Sequence, residues 1–348
     1  MHKFDYSFLD NGLLPAYLLN ITLDIYSLRE STWTKREQFE SVFHELEGIA
    51  KVQSVKSSNE IEGIITTDER IREIVSHNSA PRDHNEREIA GYRDALSVVH
   101  QNYETMDLNE DDIRRLHAIM LNLTGAPDAG RYKQTDNNII EEDASGLRRI
   151  RFRPTSAADT PLAMEQLTLA WQEARDNANI NQLLLIPCVI LDFLCIHPFR
   201  DGNGRISRLL SLMLLYKNGF DVGKYISFEE QINNRKGNYY DALRDSSFGW
   251  HENQNDYSAF IMEFLSTLYL CYKELDKRFA IVGPKVTKQA RVEAVLMNSY
   301  TPLSKAEIAK ILPDVSPTTI ESVLGKLNKS GQIRKVGSGY NTKYLWNR

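Results

Sequence analysis

One apolar segment, residues 183–196, constrains the fold more than any other feature of this 348-residue chain. Apolar residues would occupy every face of the helix that it forms, and Asp192 is its only charged residue. Such a helix must be buried on all sides, so the segment predicts a central helix surrounded by other helices. It is too short to span a bilayer, which takes about 20 apolar residues. We therefore expect no membrane partner.

Most of the remaining body has helical periodicity. Apolar residues recur at three- and four-residue spacing in five further segments, which are 17–31, 36–58, 85–103, 111–125 and 161–177. Strand-like runs lie on both sides of a turn sequence at 143–146, which predicts one β-hairpin. The predicted body is therefore mainly α, with a single hairpin.

Charge divides the chain into two parts. From residue 281 onward there are 11 Lys and Arg against 4 Asp and Glu, whereas the residues before it carry 31 against 43. The basic part has a capping box, Ser304 with Glu307, and a second helix start at Ser316 before Pro317. Strand-like runs around a Gly-Ser-Gly turn follow. The order helix, helix, helix, hairpin predicts a winged helix-turn-helix module at 281–348.

The cysteines indicate the compartment. Cys188, Cys195 and Cys271 lie in or near apolar runs without the paired spacing of a zinc site or a disulfide framework, so we interpret them as reduced core residues. The first ten residues are too polar for a secretory signal. We therefore expect a cytoplasmic protein.

The apolar segment runs directly into a polar stretch, His-Pro-Phe-Arg-Asp-Gly-Asn-Gly-Arg-Ile-Ser-Arg. Gly202, Asn203 and Gly204 allow a tight turn, and a new apolar helix then begins. Free N–H groups at a helix start, with glycines that permit close approach, bind anions such as phosphate. Arg205 and Arg208 are three residues apart, so we expect both to point at the same phosphate group.

Two more residues would complete a site for polyphosphate chemistry. Asp201 could hold Mg²⁺, which binds one or two carboxylates together with phosphate oxygens. His197, at the end of a rigid buried helix, could deprotonate an incoming hydroxyl. A Walker loop is absent, since the nearest match has Tyr225 where Ser or Thr is required.

This stretch matches the Fic family signature HxFx[DE]GNGRxxR at every defined position, so the chain resembles a Fic protein. The resemblance implies a helical Fic core, which we place at residues 96–280, and a homodimer. It also implies transfer of AMP from ATP to a Ser, Thr or Tyr hydroxyl of a target protein. The implied roles are His197 as general base, Asp201 as Mg²⁺ ligand, Gly202, Asn203 and Gly204 around the α- and β-phosphates, Arg205 on phosphate, Arg208 on the γ-phosphate, and Phe199 as packing that anchors the loop.

A second motif resembles the inhibitory sequence [ST]xxxE[GN] of Fic proteins, with Ser58, Glu62 and Gly63 in the defined positions. It lies in a predicted N-terminal helical extension, residues 1–95. A Glu62 carboxylate paired with Arg208 would occupy the place of the γ-phosphate. The four-residue spacing puts Ser58 on the same helix face, where we expect it to orient the carboxylate.

Two further segments resemble the family less closely. Residues 130–140 resemble the approach to the hairpin, or flap, that binds the target backbone by strand addition, although Lys133 replaces the usual Arg. The flap residues would be Asn137, Asn138, Ile139 and Ile140. Tyr239 and Tyr240 resemble the tyrosine pair of the adenine pocket.

Other functions stay open at this point. The same site could transfer another phosphate-linked group, or it could remove AMP with Glu62 positioning water. The basic 281–348 module could bind DNA as part of a transcriptional regulator. However, the predicted helix that begins at Ser316 has few of the side chains that recognise base edges. It could equally dock a protein.

Overall fold

A computed structural model describes residues 2–11, 14–142, 148–282, 287–299, 302–312, 315–337, 339 and 342–347 of the chain. The helices in these ranges are α1 Ala16–Gln38, α2 Glu40–Ile61, α3 Asp68–His77, α4 His84–Asn102, α5 Glu110–Leu121, α6 Thr160–Asp176, α7 Gln182–Ile196, α8 Asn203–Lys217, α9 Phe228–Asn234, α10 Lys236–Ser247, α11 Ser258–Val282, α12 Lys288–Asn298, α13 Lys305–Ile311 and α14 Pro317–Lys329. The strands are β1 Ile139–Glu142, β2 Arg148–Phe152, β3 Leu303–Ser304, β4 Ile333–Val336 and β5 Lys343–Trp346. The predicted mainly α fold with a hairpin in the body is confirmed. None of these helices combines the length and apolar character that crossing a bilayer requires.

Helix α7 is the buried centre that the apolar segment predicts. It packs against α6, α8, α10 and α11, and its side chains are almost all buried. The Asn181 side chain caps its start by accepting a hydrogen bond from the Leu183 N–H at 2.9 Å. Cys188 and Cys195 on this helix are free and buried, like Cys271 on α11. A fully packed helix gives His197, the next residue, a rigid support.

The charged residue of α7 anchors the N-terminal segment. The Asp192 carboxylate is fully buried and accepts hydrogen bonds from Tyr6 Oη and Trp250 Nε1, both at 2.7 Å, and from Tyr257 Oη at 3.0 Å. Burial raises the pKa of Asp192 to about 7, against the three hydrogen bonds. Residues from the N-terminus and from the α10–α11 connection are thereby tied to the central helix.

Helix α2 differs from its prediction in both boundaries. The single helix expected over 36–58 is interrupted at Phe39, whose φ of −134° and ψ of 44° end α1 and precede α2. Helix α2 then continues to Ile61, and Glu62 is its C-cap residue. The extra turn matters because it carries the inhibitory motif to the start of α8.

The C-terminal part has the predicted order of elements, with one addition. Helices α12, α13 and α14 are followed by the β4–β5 pair, and the short β3 adds a third antiparallel strand in the order β3-β5-β4. The capping box of Ser304 with Glu307 is present in full. Ser338 of the predicted turn lies outside the described residues. Helix α11 crosses residue 281, where composition places the boundary of the module.

Candidate active site

His197 follows α7 in a left-handed backbone conformation, with a φ of 52°. Its Nδ1 lies 3.2 Å from the Leu194 carbonyl oxygen, so a proton on Nδ1 leaves the Nε2 lone pair free. Burial lowers the pKa of His197 to about 4, and the nearby Lys133 ammonium acts in the same direction. The imidazole is therefore neutral at physiological pH and able to accept a proton.

The loop after His197 is held by Asn203. Its side-chain oxygen accepts from the Phe199 N–H at 2.9 Å, and its amide donates to the Phe199 carbonyl at 2.8 Å. Asn203 is buried at 2% exposure, so the side chain shapes the loop itself. Phe199 is fully buried, which agrees with the packing role expected for it.

His117 on α5 supports this loop, and sequence analysis did not identify it. Its ring stacks on Phe199 with centroids 3.8 Å apart. Its Nδ1 accepts from the Gly130 N–H at 2.9 Å, which leaves Nε2 to donate to the Asp201 carbonyl at 3.1 Å. No local signal distinguishes this histidine from any other inward residue of an amphipathic helix, because both partners are distant in sequence.

The start of α8 borders a cavity, and no side chain caps it. Gly202 is the N-cap, with a φ of 79°, and it brings no side chain to satisfy the first N–H groups of the helix. A Cβ there would lie 2.5 Å from Met120 Cε, so the Met120 side chain would have to shift, and the backbone angle by itself favours glycine. Gly202, Asn203 and Gly204 all line one cavity of about 280 Å³. Unpaired N–H groups and the helix dipole favour an anion in this cavity.

Arg208 is bound by the inhibitory motif. Its guanidinium donates to Glu62 Oε1 at 2.8 Å, and it also donates to the Ser58 hydroxyl and the Ser58 carbonyl, both at 2.8 Å. Ser58 therefore binds the same guanidinium that Glu62 binds, and its role in orienting the carboxylate stays a prediction. Glu62 lies against Gly204, where an added Cβ would collide with its Oε1. Gly63 follows with a φ of 79° and ends α2.

Arg205 does not point where the spacing suggested. Its side chain is 1% exposed, pairs with Glu88 of α4 at 2.7 Å, and lies 3.4 Å from the Asn59 side-chain oxygen. It does not line the cavity that Arg208 lines. The two arginines therefore point in different directions in this structure, and their contacts with phosphate stay a prediction. Residues three apart in a helix differ by about 60° in direction around the helix axis. In its direction the Arg205 side chain meets Glu88 of α4.

Asp201 lines the cavity and has a carboxylate oxygen to spare. Its side chain is 76% exposed, with Arg205 at 3.6 Å, and its other oxygen accepts from the Gly202 N–H at 2.7 Å. The described residues contain no cluster of three or more His, Cys, Asp or Glu that could hold a metal by themselves. A single carboxylate beside a phosphate-binding loop nevertheless fits Mg²⁺, which takes most of its remaining ligands from phosphate and water.

The hairpin and α10 form the rest of the cavity. Asn138 and Ile139 line it, as do Tyr239 and Tyr240. The hairpin turn at 143–146 lies outside the described residues. The other lining residues are Arg151, Phe152, Leu191, Leu194, Cys195, Arg200, Leu243 and Ser247.

The four predicted flap residues divide into two kinds. Asn137 precedes β1 and is bonded to the loop, donating to the Phe199 carbonyl at 3.2 Å and accepting from Lys133 Nζ at 2.9 Å. The Asn137 side chain is thus held by hydrogen bonds within the chain, whereas the Ile140 side chain is 59% exposed to solvent. Lys133 also donates to the Ile196 carbonyl at 3.1 Å, so it supports the backbone beside His197.

Comparison with known proteins identifies a matching family model, relatives in sequence and a similar solved structure. A family model described as Fic/DOC family matches residues 107–215. The chain is 27% identical over 207 residues to a protein adenylyltransferase Fic of Nematostella vectensis, which covers 58% of this chain but only 44% of that protein. It is 31% identical over 117 residues to a Fido domain-containing protein of Dictyostelium discoideum, which covers 32% of this chain and 80% of that protein. A crystal structure of a Fic family protein from Desulfovibrio desulfuricans G20 superposes with a TM-score of 0.64 over 97% of both chains, at 19% identity.

Proposed function

The chain belongs to the Fic/DOC family, and on that premise we propose that it is a protein adenylyltransferase, which moves AMP from ATP to a hydroxyl group of a target protein. The relatives named adenylyltransferase support this reaction. One observation carries it: a neutral His197, the open N–H groups at the start of α8, and Arg208 all border the same cavity.

The proposed mechanism assigns each group a separate task. The backbone N–H groups of Asn203 and Gly204 bind the phosphates, and Arg208 binds the terminal phosphate. Asp201 would hold Mg²⁺, which neutralises phosphate charge when bound. His197 takes the proton from the target hydroxyl, whose oxygen attacks the α-phosphorus as pyrophosphate leaves. The rigid loop supplies positioning and charge and undergoes no covalent chemistry.

Autoinhibition by Glu62 is part of the proposal. A carboxylate at 2.8 Å occupies the guanidinium that the terminal phosphate needs. Arg208 is 2% exposed and already has three acceptors on α2. ATP must therefore displace Glu62 before its phosphates can lie productively, so the wild-type chain should be slow.

Replacement of Glu62 tests both the proposed transfer of AMP and its proposed inhibition. The Glu62→Gly variant and wild type are each incubated with ATP and Mg²⁺, and intact mass is measured over time. We expect self-labelling by one AMP per modified site, at least about tenfold faster in Glu62→Gly, because a charged hydrogen bond of about 1.5–3 kcal/mol no longer competes.

Glu60→Gly is the matched control. Glu60 is an acid two residues earlier on α2, but it bonds to Asn233 at 3.1 Å and does not line the cavity. It should behave as wild type. A phosphate adduct, or no adduct in any variant, would contradict the proposed adenylyltransferase activity. Equal labelling by wild type and Glu62→Gly would contradict the inhibition alone.

A further inference from the structure

The hairpin contains a β-bulge beside the cavity. Ile139 is opposite Phe152 and Ile140 is opposite Ile150, so Arg151 has no partner on β1. Successive side chains of a regular strand point to opposite faces. Here the adjacent residues Arg151 and Phe152 both line the cavity. The extra residue has thus redirected an arginine into the site, which is a common use of bulges near active sites.

Arg151 is a buried donor that no part of the described chain satisfies. Its Nε–H is buried without a hydrogen-bond partner. Glu141, a hairpin carboxylate whose charge acts on Arg151, is bonded to Arg149 at 3.3 Å. Burial lowers the pKa of the Arg151 guanidinium, so its surroundings do not compensate for its charge. An unsatisfied buried donor destabilises the fold and indicates either a ligand or another specific cause.

Other arginines with a similarly unpaired nitrogen differ in one respect. Arg36 pairs with Asp221 and Arg205 pairs with Glu88 through another guanidinium nitrogen, and Arg278 has the Glu274 carboxylate 3.5 Å from its Nε. They are structural ion pairs, and none of the three lines the cavity. Arg151 has no such pair within the described residues, so a structural role does not account for it.

The cavity that Arg151 lines also has apolar and aromatic walls. Leu191, Leu194 and Leu243 line the cavity with Tyr240. The charged groups that act most on Arg151 are Glu141 and Arg244, and neither belongs to the loop at 197–208. Apolar and aromatic walls with one placed donor are typical of a site that fixes the orientation of an aromatic ligand.

We propose that Arg151 contacts the nucleobase of the bound nucleotide and donates a hydrogen bond to an acceptor atom on its edge. This inference rests on the proposed function, since it takes the phosphates to lie at 202–208. A guanidinium has five donors and no acceptor, so it recognises ring nitrogens or carbonyl oxygens and rejects amino groups. Arg151 is then a residue that determines base recognition.

The test separates a base contact from an effect of charge on the phosphates. Kd values for ATP and for inorganic tripolyphosphate, which has no base, are measured by calorimetry with Mg²⁺ in the full-length Glu62→Gly chain. In the Arg151→Met variant we expect the Kd for ATP to rise about tenfold to a hundredfold. The Kd for tripolyphosphate should change less than about twofold.

Arg153→Met is the matched control, because Arg153 is an exposed arginine two residues along that does not line this cavity. It should leave both Kd values unchanged. An equal loss for both ligands in Arg151→Met, or no difference between Arg151→Met and Arg153→Met, overturns the inference. Failure of every nucleotide to bind overturns the proposed function as well. If Arg151→Met does not fold, Arg151→Gln, which keeps a polar side chain, takes its place. It must raise the Kd for ATP without raising the Kd for tripolyphosphate.

Discussion

The two sides of the cavity are built differently. The loop side, residues 197–208, is one contiguous stretch whose shape is fixed by hydrogen bonds within the chain: Asn203 binds Phe199, and Arg208 binds Ser58 and Glu62. The hairpin side combines β1, β2 and α10, and within the described residues it leaves Arg151 Nε without a hydrogen-bond partner. The difference suggests that the loop side positions a reaction that is the same for every ligand, whereas the hairpin side selects the ligand.

Replacement of His197 should have the largest effect, because it removes the proton acceptor from the loop side. In the Glu62→Gly background, His197→Ala should lower the rate of AMP labelling by about 10²–10⁴-fold, measured by intact mass. ATP affinity should change little, since the phosphates are bound elsewhere. Exposed His44, which does not line the cavity, supplies the control His44→Ala. Undiminished labelling by His197→Ala would place the base elsewhere.

A pair of glycines tests whether the loop side is the rigid one. Gly202→Ala should destabilise the fold by about 1–3 kcal/mol, because Gly202 has a φ of 79° and a methyl group would meet Met120. Gly237→Ala on α10 has open space and should leave stability unchanged or raise it by up to about 1 kcal/mol. Urea unfolding measures both. Similar losses in the two variants would mean that the sides are equally rigid.

The same contrast explains what could be predicted from the sequence. His197, Asp201 and the glycine loop follow from local spacing, and Glu62 follows from a short motif that reaches Arg208. The direction of Arg205 could not be predicted, since its partner Glu88 lies on another helix. The bulge at Arg151 is equally hidden, because register depends on how two strands meet. Local spacing and short motifs therefore indicate the groups of the loop and Glu62, whereas side chains whose direction depends on a distant partner outside any motif could not be predicted.

The smallest expected effect is the pH response of the loop side. A general base acts in its unprotonated form, so a pKa lowered from 6.5 to about 4 keeps His197 active as pH falls. Self-labelling by Glu62→Gly, at saturating ATP and Mg²⁺, should change less than about twofold between pH 7.5 and 5.5. An ordinary histidine would lose about tenfold at pH 5.5. A labelling rate that falls with a midpoint near pH 6.5 would mean that water reaches the imidazole of His197 freely. The loop side would then be as open to solvent as the hairpin side.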